Sequence, residues 1–395
     1  MSEVANIPQL RFPGFSDEWE ERPLKDVSTF FNGKAYKQAE LLSSGKYPVL
    51  RVGNFFTNNS WYYSNLELDE NKYCDNGDLL YAWSASFGPR IWAGEKVIYH
   101  CHIWKVINHS QVTKKFLFIV LDNETAKMKA QSANGFALLH ITKGTIENWK
   151  INLPTRQEQQ KIAAFLAAVD SKIEQLSKKQ ALLGEYKKGL MQQIFTQEIR
   201  FKAGDGSDFP DWEEKKLGDV FEIKAGQSKS KHIKKDGKNI IVDMGGISSE
   251  PKLVAKKLTD YDDDFLTTND LVMPKDDIGG GLIIGKVAEI PENNKYICGD
   301  HIYKLTVVNG NITFLKYAIN SYQVNKSFRQ KANGTAQIGL SRKEVENQLL
   351  SFPSLKEQTK IANFLSSIDS KIEQVGKQLN ESKQFKKALL QQMFV

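Results

Sequence analysis

The sequence contains few of the residues that mark disulfide-rich or zinc-bound proteins. Only three cysteines, Cys74, Cys101 and Cys298, occur in 395 residues, and no two of them form a C-x-x-C pair. A disulfide framework and a zinc ribbon are therefore disfavoured, and a reducing cytoplasm is expected. His100 and His102 flank Cys101, but successive side chains of a strand point to opposite faces. We therefore predict a partly buried strand there rather than a metal site.

Long apolar runs and common catalytic signatures are also missing. No apolar run approaches the ~20 residues that span a bilayer, and the N-terminus lacks the pattern of a signal peptide, so neither membrane insertion nor export is predicted. No G-x-G-x-x-G offers a nucleotide site. No Pro-Pro dipeptide occurs, so the Asn/Asp-Pro-Pro-aromatic loop with which amino-methyltransferases hold the target amine is absent.

Two segments contain part of an enzyme signature but lack a residue or an arrangement that the signature requires. The segment GGLIIGKV, residues 280–287, spaces its glycines and Lys286 like a phosphate loop, but Val287 replaces the Ser or Thr that holds magnesium. We predict a strand after a glycine turn instead. The segment PDWEEK, residues 210–215, contains the letters of a nuclease signature, but a nuclease needs these carboxylates on separate strands. The chain is predicted to catalyse no reaction by itself.

The main feature that is present is a stretch that occurs twice. LPTRQEQQKIAAFLAAVDSKIEQ begins at residue 153, and FPSLKEQTKIANFLSSIDSKIEQ begins at residue 352, an offset of 199. Over residues 153–195 the two copies agree at about half of their positions, including an unbroken DSKIEQ. Each copy opens with a proline and a predicted capping box, Thr155 to Glu158 and Ser354 to Glu357. Two long helices of the same design are predicted.

Apolar residues recur along both copies with alternating steps of three and four, which is typical of a coiled coil. Tyr186 and Phe385 are expected to cover the irregular outer half, and the two helices are expected to pair with each other as antiparallel rods of roughly 60 Å. The predicted contact residues are Ile162, Leu166, Val169, Ile173, Leu176, Leu183, Leu190 and Ile194, with Ile361, Leu365, Ile368, Ile372, Val375, Leu379, Leu389 and Met393.

The segments that precede the two helices are divergent in sequence but keep landmarks in step. Trp19-Glu20-Glu21 matches Trp212-Glu213-Glu214, Gly33 matches Gly226, and the HIWK that begins at His102 matches the HIYK that begins at His301. Short β-rich runs and one helical stretch in each segment indicate two α+β bodies of about 150 residues. Asn134-Gly135 and Asn333-Gly334 are predicted turns. The fold class is thus α+β: two globular domains separated by an antiparallel coiled coil, with approximate internal two-fold symmetry.

Basic residues recur after the first strand of both bodies. The formal net charge of +7 permits an anionic partner without identifying one, so clustering carries more information than the total. A charge run is most often a solvated surface, but its recurrence at equivalent positions favours contact with phosphates and base edges. The candidate DNA-binding residues are Lys34, Tyr36, Lys37, Arg51, Asn54, Arg90, Lys229, Lys231, Lys234, Lys235, Lys275, Arg329 and Lys331.

The duplicated EQ-x-KIA-x-FL-x-x-[VI]-DSKIEQ helix and the repeated W-E-E-x-x-L-x-D-V entrance resemble the specificity subunit of type I restriction-modification systems over nearly the whole chain. The resemblance implies a tail over 1–10, target recognition domains over 11–150 and 199–350, a central helical region over 151–198 and a distal one over 351–395. Each recognition domain would read one half of a split DNA site. The helices would set the spacing, about one helical turn of ~34 Å between half-sites, and would dock the partner subunits.

The resemblance further implies double-stranded DNA, two methyltransferase subunits and two restriction subunits as partners. S-adenosylmethionine, ATP and Mg would be held by those subunits and not by this chain. A self-sufficient nuclease or methyltransferase and a coiled-coil adaptor that does not read DNA are the competing hypotheses. Identical residues that we predict to face outward are the candidate docking positions: Glu158, Gln159, Lys161, Lys172, Glu174, Glu357, Gln358, Lys360, Lys371 and Glu373.

Overall fold

A computed structural model describes residues 6–56, 58–84, 87–132, 141–334 and 337–394. The chain divides into two compact units. Unit 1 comprises Met1–Ser177 and Gln378–Val395, and unit 2 comprises Lys178–Lys377. Each unit thus combines one globular body with segments of both long helices. The predicted turn at Asn134-Gly135 lies outside the described residues.

The first body contains two four-stranded sheets, with the strand orders β2-β9-β6-β7 and β4-β3-β8-β5, and a separate β1-β10 pair. Val49 and Leu50 of β3 pair in parallel with Ile98 and Tyr99 of β8, and all four side chains are buried. The elements are β1 Glu20–Pro23, α1 Leu24–Val27, β2 Ser28–Asn32, β3 Tyr47–Leu50, α2 Val52–Phe56, β4 Tyr62–Ser64, β5 Tyr73–Cys74, β6 Leu79–Ala82, β7 Gly88–Ile91, β8 Val97–Tyr99, β9 Ile103–Asn108, α3 Lys114–Ser132, α4 Lys143–Glu147, β10 Lys150–Leu153 and α5 Arg156–Phe195.

The second body repeats this plan with the strand orders β12-β19-β15-β17 and β14-β13-β18, the pair β11-β21 and a short β16-β20 pair. Its β13 pairs in parallel with β18, as β3 does with β8. The elements are β11 Glu213–Lys216, α6 Leu217–Val220, β12 Phe221–Ala225, β13 Asn239–Val242, β14 Lys257–Thr259, β15 Asp270–Pro274, β16 Asp276–Asp277, β17 Ala288–Glu289, β18 Tyr296–Cys298, β19 Ile302–Val307, α7 Ile312–Ile319, α8 Tyr322–Lys331, β20 Ile338–Gly339, α9 Arg342–Glu346, β21 Leu349–Phe352 and α10 Leu355–Met393. The predicted α+β class is confirmed.

Each body is closed by a ladder between its first and last strands. In the first body Glu20 of β1 lies opposite Leu153 of β10, and in the second Glu213 of β11 lies opposite Phe352 of β21. Because α5 and α10 begin three residues after β10 and β21, this ladder sets the point at which each long helix leaves its body.

Trp19 and Trp212 lie near the start of the first and the second body. Each of them attaches its own body to the end of the long helix that follows the other body in the sequence. In unit 1 the Trp19 ring packs edge-on against Phe116 of α3 and Phe394, at centroid distances of 6.2 and 6.0 Å. In unit 2 Trp212 packs in the same way against Phe314 and against Phe195 of α5, at 6.3 and 6.4 Å.

The two long helices run antiparallel within each unit. In unit 2, Lys187 of α5 lies 2.6 Å from Asp369 of α10, and Gln180 lies against Gly376, so the numbering runs in opposite directions along the pair. In unit 1, Asp170 of α5 pairs with Lys386 of α10 at 2.6 Å. Every predicted contact residue of the coiled coil is buried or half-buried. The predicted antiparallel pairing is confirmed within each unit.

Three local predictions about the helices and their neighbours fail in whole or in part. Tyr186 and Phe385 do not cover the outer half, because they are 57% and 52% exposed. The capping box forms only in part: the Glu158 amide is 3.4 Å from Thr155 Oγ1, but the Glu158 carboxylate binds elsewhere. Residues 280–287 form bends and a turn, and β17 begins only after them, because Gly280, Gly281 and Gly285 all adopt positive φ.

No helix among the described residues is long and apolar enough to cross a bilayer.

Candidate nucleic-acid interface

Three segments of the first body meet at the carboxyl ends of the parallel strands β3 and β8. The His100 amide donates to Leu50 O at 2.9 Å, which ties the turn after β8 to the end of β3. The Lys34 amide donates to Tyr99 O at 3.0 Å, and the Cys101 amide donates to Lys34 O at 2.9 Å. Residues 33–37, 51–54 and 100–102 therefore share one surface, which we call the first-body face.

Gly33 and Gly226 permit this close approach in the two bodies. A Cβ atom on Gly33 would lie 2.3 Å from His100 O, and one on Gly226 would lie 1.9 Å from Gly299 O. Both distances are far below van der Waals contact, so the residue at each of these two positions must be glycine. The loop after the first sheet strand is thereby held against the turn before β9 or β19.

The aromatic and basic side chains of residues 34–37 pack against this turn. The Tyr36 ring stacks on the His100 ring with centroids 6.1 Å apart, and Lys34 Nζ lies 5.6 Å from the Tyr36 centroid. Lys34 also pairs with Glu40 at 3.3 Å. Burial raises the pKa of the Tyr36 hydroxyl, which has no hydrogen-bond partner among the described residues. Lys37 is exposed.

Arg51 lies half-buried in the loop after β3, where its Nη2 donates to Ser60 O at 3.4 Å. Its Cζ atom lies 4.2 Å from the centroid of the Tyr62 ring, an arrangement that favours a cation–π interaction. Asn54 holds the loop in shape, because its Oδ1 accepts from the Arg51 amide at 3.3 Å and its Nδ2 donates to Ser60 O at 2.8 Å. The Asn54 amide is thus engaged within the loop.

Arg90 is a further exposed cation of the first body. It lies on β7, and its guanidinium is 5.1 Å from the ring of Phe56 in α2, the helix that contains Asn54. The structure therefore brings together five of the sequence candidates, Lys34, Tyr36, Arg51, Asn54 and Arg90, through direct contacts with one another or with shared neighbours.

His100, Cys101 and His102 converge rather than alternate between two faces. They form the turn between β8 and β9, and their potential ligand atoms all lie within 4.8 Å of one another. The strand-based argument against a metal site is therefore wrong. Burial, aided by the charges of His102 and Arg51, lowers the pKa of His100. Structural zinc sites use four protein ligands, and this group of the described residues has three.

The second body has the same backbone arrangement with different side chains. The Gly299 amide donates to Val242 O at 2.8 Å, as His100 does to Leu50 in the first body, and the Lys275 amide donates to His301 O at 2.9 Å. Residues 243–246, 275–277 and 299–301 make up this surface, which we call the second-body face.

Carboxylates dominate the second-body face. Lys275 Nζ donates to Asp300 at 3.1 Å, and His301 Nδ1 lies 2.7 Å from Asp276 Oδ2. The His301 amide and the Lys275 ammonium lower the pKa of Asp300. Asp276 is 9% exposed, and its Oδ1 atom is buried with no hydrogen-bond partner in the part of the chain that the structure describes.

The basic loop of the second body is less available than its sequence indicates. The predicted DNA-binding residue Lys229 is not at the surface. It is only 7% exposed, pairs with Asp264 at 3.4 Å and lies 4.8 Å from the Tyr261 ring centroid. Lys234 is exposed but pairs with Asp260 at 2.5 Å. The remaining two candidates of this loop are exposed: Lys231 and Lys235.

Arg329 and Lys331 lie on α8. Arg329 is exposed, and its charge adds to burial in lowering the pKa of Lys286. Lys331 Nζ donates to Gln348 Oε1 at 2.7 Å, so its ammonium group is already engaged. Among the described residues, neither side chain makes a hydrogen bond or an ion pair with the second-body face.

Four of the predicted docking residues do not face outward. Glu158 is fully buried, and its two oxygens accept from Arg11 at 2.7 and 2.8 Å. Gln159 is also fully buried, accepts from the Thr113 amide at 2.8 Å and donates to Pro154 O at 2.9 Å. Both side chains attach the start of α5 to its own body.

The second copy repeats these buried contacts. Glu357 pairs with Arg200 at 3.0 Å, and Gln358 accepts from the Asn311 amide at 2.8 Å. The polar groups of these side chains indicated a surface position, but they instead form ion pairs and hydrogen bonds with buried partners. Of the exposed candidates, Lys161 lies 5.0 Å from the Phe15 ring and Lys360 donates to Lys202 O at 2.6 Å. The other exposed candidates are Lys172, Glu174, Lys371 and Glu373.

Sequence reasoning missed His100, Asp243, Asp276 and His301 as components of the two faces. The matched HIWK and HIYK segments mark the correct place, since His102 and His301 end the two turns. Which neighbouring acids converge there depends on pairing between strands that are distant in the sequence, and no local pattern encodes it.

A family model described as the type I restriction modification DNA specificity domain matches residues 16–183 and again residues 210–383. The chain belongs to this specificity family. The duplication found in the sequence therefore corresponds to two copies of the family's domain, each consisting of one body and most of the helix that follows it.

Other members of this family and solved structures are similar to this chain along nearly its full length. The MjaVIII type I restriction enzyme specificity subunit of Methanocaldococcus jannaschii is 27% identical and covers 96% of this chain and 92% of that relative. The EcoBI specificity subunit of Escherichia coli is 20% identical, with 93% and 82% covered. The crystal structure of a type I restriction-modification S subunit from M. genitalium has a TM-score of 0.63 at 15% identity, with 98% and 99% covered, and it shares the fold.

Proposed function

We propose that this chain is the DNA-recognition subunit of a type I restriction-modification complex and that each body reads one half of a bipartite site. The observation that carries this proposal is a shared backbone with unlike side chains. His100 and Gly299 make the same hydrogen bond to the strand that precedes Arg51 or Asp243. A common scaffold that presents different polar groups at one position suits two readers of different base pairs.

The chemistry of the two faces suits contact with a duplex. Lysine and arginine side chains bind phosphates and supply affinity, whereas polar groups that reach base edges supply specificity. Lys37 is an exposed cation of the first-body face, Arg90 is one beside it, and Lys231 and Lys235 are exposed cations of the second body. We assign the phosphate contacts to these four residues, and we assign base reading to the two faces.

We assign the recognition domains to about residues 11–150 and 199–350, the helical regions to 151–198 and 351–395, and the tail to 1–10. The paired helices set the distance between the half-sites. Inserting one helical turn into both helices is expected to lengthen the gap between the half-sites and to leave the bases read unchanged.

The partners in this proposal are double-stranded DNA, two methyltransferase subunits and two restriction subunits. Those subunits hold S-adenosylmethionine, ATP and Mg, and this chain is the non-catalytic member of a cytoplasmic complex. The methyltransferase docks on exposed positions that are identical in both helices, Lys172 with Glu174 and Lys371 with Glu373. Identical residues at equivalent positions let one kind of partner bind twice.

The decisive experiment is sequencing of methylated adenines in a host with and without the chain, with its partner subunits present in both strains. A bipartite methylated motif that disappears with the chain is the expected result, and an unchanged set of methylated adenines would refute the proposal. A coiled-coil adaptor that does not read DNA predicts that Arg51→Met leaves the motif intact. Recognition predicts an altered base preference in one half of it.

A further inference from the structure

The second-body face borders a cleft that is lined by a carboxylate and a histidine. The cleft has a volume of about 620 Å³ and begins where β13 ends. Asp243, Gly245, Lys257 and His301 are among the residues that line it. An opening of this size accommodates the edge of a base.

The position of the cleft corresponds to that of Arg51 in the first body. Arg51 directly follows β3, and Asp243 directly follows β13. Each of these strands accepts a hydrogen bond from the turn that follows its parallel neighbour, through Leu50 O in the first body and Val242 O in the second. Equivalent backbone positions thus hold a guanidinium in one body and a carboxylate in the other.

The carboxylate of Asp243 keeps capacity to accept a further hydrogen bond. Its Oδ2 atom pairs with Lys257 Nζ at 2.5 Å, and its side chain is 21% exposed. Within the described part of the chain its Oδ1 atom makes no hydrogen bond, and it would lie 3.8 Å from a Cβ atom on Gly245. Because glycine has no side chain, this side of the carboxylate stays open.

A second carboxylate, that of Asp276, contacts the histidine of the cleft. His301 Nδ1 lies 2.7 Å from Asp276 Oδ2, which fixes the orientation of the imidazole, and Asp276 Oδ1 is buried with no hydrogen-bond partner among the residues that the structure describes. His301 has a φ of 61° although it is not a glycine, so the turn holds it in a conformation that non-glycine residues adopt rarely. The local structure maintains this strained position and keeps the ring at the cleft.

We propose that this cleft reads a base edge that presents an exocyclic amino group, with Asp243 as the acceptor and His301 as the residue that positions the base. In the major groove, the N4 amino group of cytosine and the N6 amino group of adenine are the donors that a carboxylate accepts, whereas arginine reads the acceptors of guanine. The inference rests on the proposed function. It adds that the two half-sites are read by opposite chemistry, with a donor at Arg51 and an acceptor at Asp243.

The first test uses the complete methyltransferase complex and sequencing of methylated adenines. Asp243→Asn is expected to reduce discrimination at one base pair about tenfold, in the half-site that Arg51→Met leaves unchanged. His301→Gln is expected to weaken preference in that same half-site. Asp262→Asn, an exposed acid of the second body, is the matched control. An Asp243→Asn complex with an unaltered motif would overturn the inference.

The ion pair with Lys257 allows a structural role to be separated from base reading. Lys257→Met removes the partner of Asp243 and leaves the acceptor in place. If Asp243 reads a base, Lys257→Met keeps the identity of the preferred base. If both substitutions alter the motif in the same way, the pair only shapes the loop and the inference fails. A wild-type complex with no bipartite motif would refute the proposed function itself.

The source of the amino group is distinguished with modified duplexes. Binding of the wild-type complex is measured to sites in which adenine is replaced by purine or cytosine by 2-pyrimidinone, one position at a time. Each replacement removes only the exocyclic amino group. A loss of affinity that disappears in the Asp243→Asn complex identifies adenine or cytosine as the base read. Equal effects in wild-type and variant complexes at every position would overturn the inference.

Discussion

Lys187 of α5 and Asp369 of α10 form an ion pair of 2.6 Å that includes a third group, the Tyr317 hydroxyl, which donates to Asp369 Oδ2 at 2.6 Å. The Lys187 ammonium also lies 5.0 Å from the Tyr317 ring centroid. In the equivalent pair Asp170 lies 2.6 Å from Lys386, and within the described part of the chain no tyrosine hydroxyl joins this pair.

Substitution of the two lysines is therefore expected to have unequal effects. Lys187→Met loses an ion pair and a cation–π contact, which together contribute about 1 to 2 kcal/mol, whereas Lys386→Met loses a half-exposed ion pair of about 0.5 kcal/mol. Urea unfolding of each variant measures the difference. Equal destabilisation would contradict the role assigned to Tyr317.

The buried contact of Glu158 with Arg11 predicts a large loss of stability on substitution. Glu158→Gln leaves the Arg11 guanidinium, which is 11% exposed, without its paired carboxylate. We expect unfolding to become easier by about 3 kcal/mol, because breaking a buried pair leaves an uncompensated charge. Glu174→Gln on the exposed surface of α5 is the control and should change the unfolding free energy by less than about 0.5 kcal/mol. Similar effects of both substitutions would show that the Glu158 contact is not stabilising.

Gly33→Ala is expected to impair reading by the first body alone. The added Cβ would lie 2.3 Å from His100 O, so the loop with Lys34 and Tyr36 must move, at a cost of about 1 to 3 kcal/mol. Base preference should weaken in one half of the methylated motif. Gly144→Ala meets no atom within 4 Å and is the control. An unchanged motif and unchanged stability for Gly33→Ala would refute the close approach.

The lowered pKa of His100 predicts a pH dependence of stability. Burial, with the charges of His102 and Arg51, lowers the pKa in the folded state, so the unfolded chain protonates first as the pH falls below about 6.5. Stability contributed by the neutral imidazole is present above that pH and decreases below it. Thermal unfolding between pH 5 and 8 should show a smaller decrease for His100→Gln than for the unsubstituted protein. Parallel profiles would contradict the prediction.

The duplicated docking positions predict a stepwise loss of partners. Lys172→Glu alone should leave one docking position, so complexes with a single methyltransferase accumulate, and Lys172→Glu with Lys371→Glu should abolish association. Native mass spectrometry counts the bound subunits. Lys179→Glu is the control, because Lys179 is exposed but its counterpart is Gln378. Retention of two partners by the double variant would exclude these residues as docking contacts.

The sequence predicts the features that depend on local pattern or on repetition. The apolar spacing predicts both long helices and their contact residues, and the matched landmarks, Gly33 with Gly226 among them, predict that the two bodies share one plan. These predictions succeed because a periodic pattern or a repeat directly reflects the structure around its residues.

The features that sequence reasoning misassigned depend on tertiary contacts. Glu158 and Gln159 are polar and precede the coiled coil, so nothing local indicates that Arg11 and the Thr113 amide cover them. His100 to His102 form a turn because β8 and β9 belong to different sheets, which alternation of residue types does not indicate. Lys229 is buried because of Tyr261 and Asp264, which lie more than thirty residues away in the sequence.

The β1-β10 and β11-β21 ladders have a consequence for how such proteins can diversify. In both bodies the chain enters and leaves through neighbouring hydrogen-bonded strands, with Glu20 opposite Leu153 and Glu213 opposite Phe352. The segment between the two strands of each ladder therefore begins and ends at neighbouring positions. Recombination at the two strands can therefore replace a whole reader as a cassette, while the helices that follow keep their register.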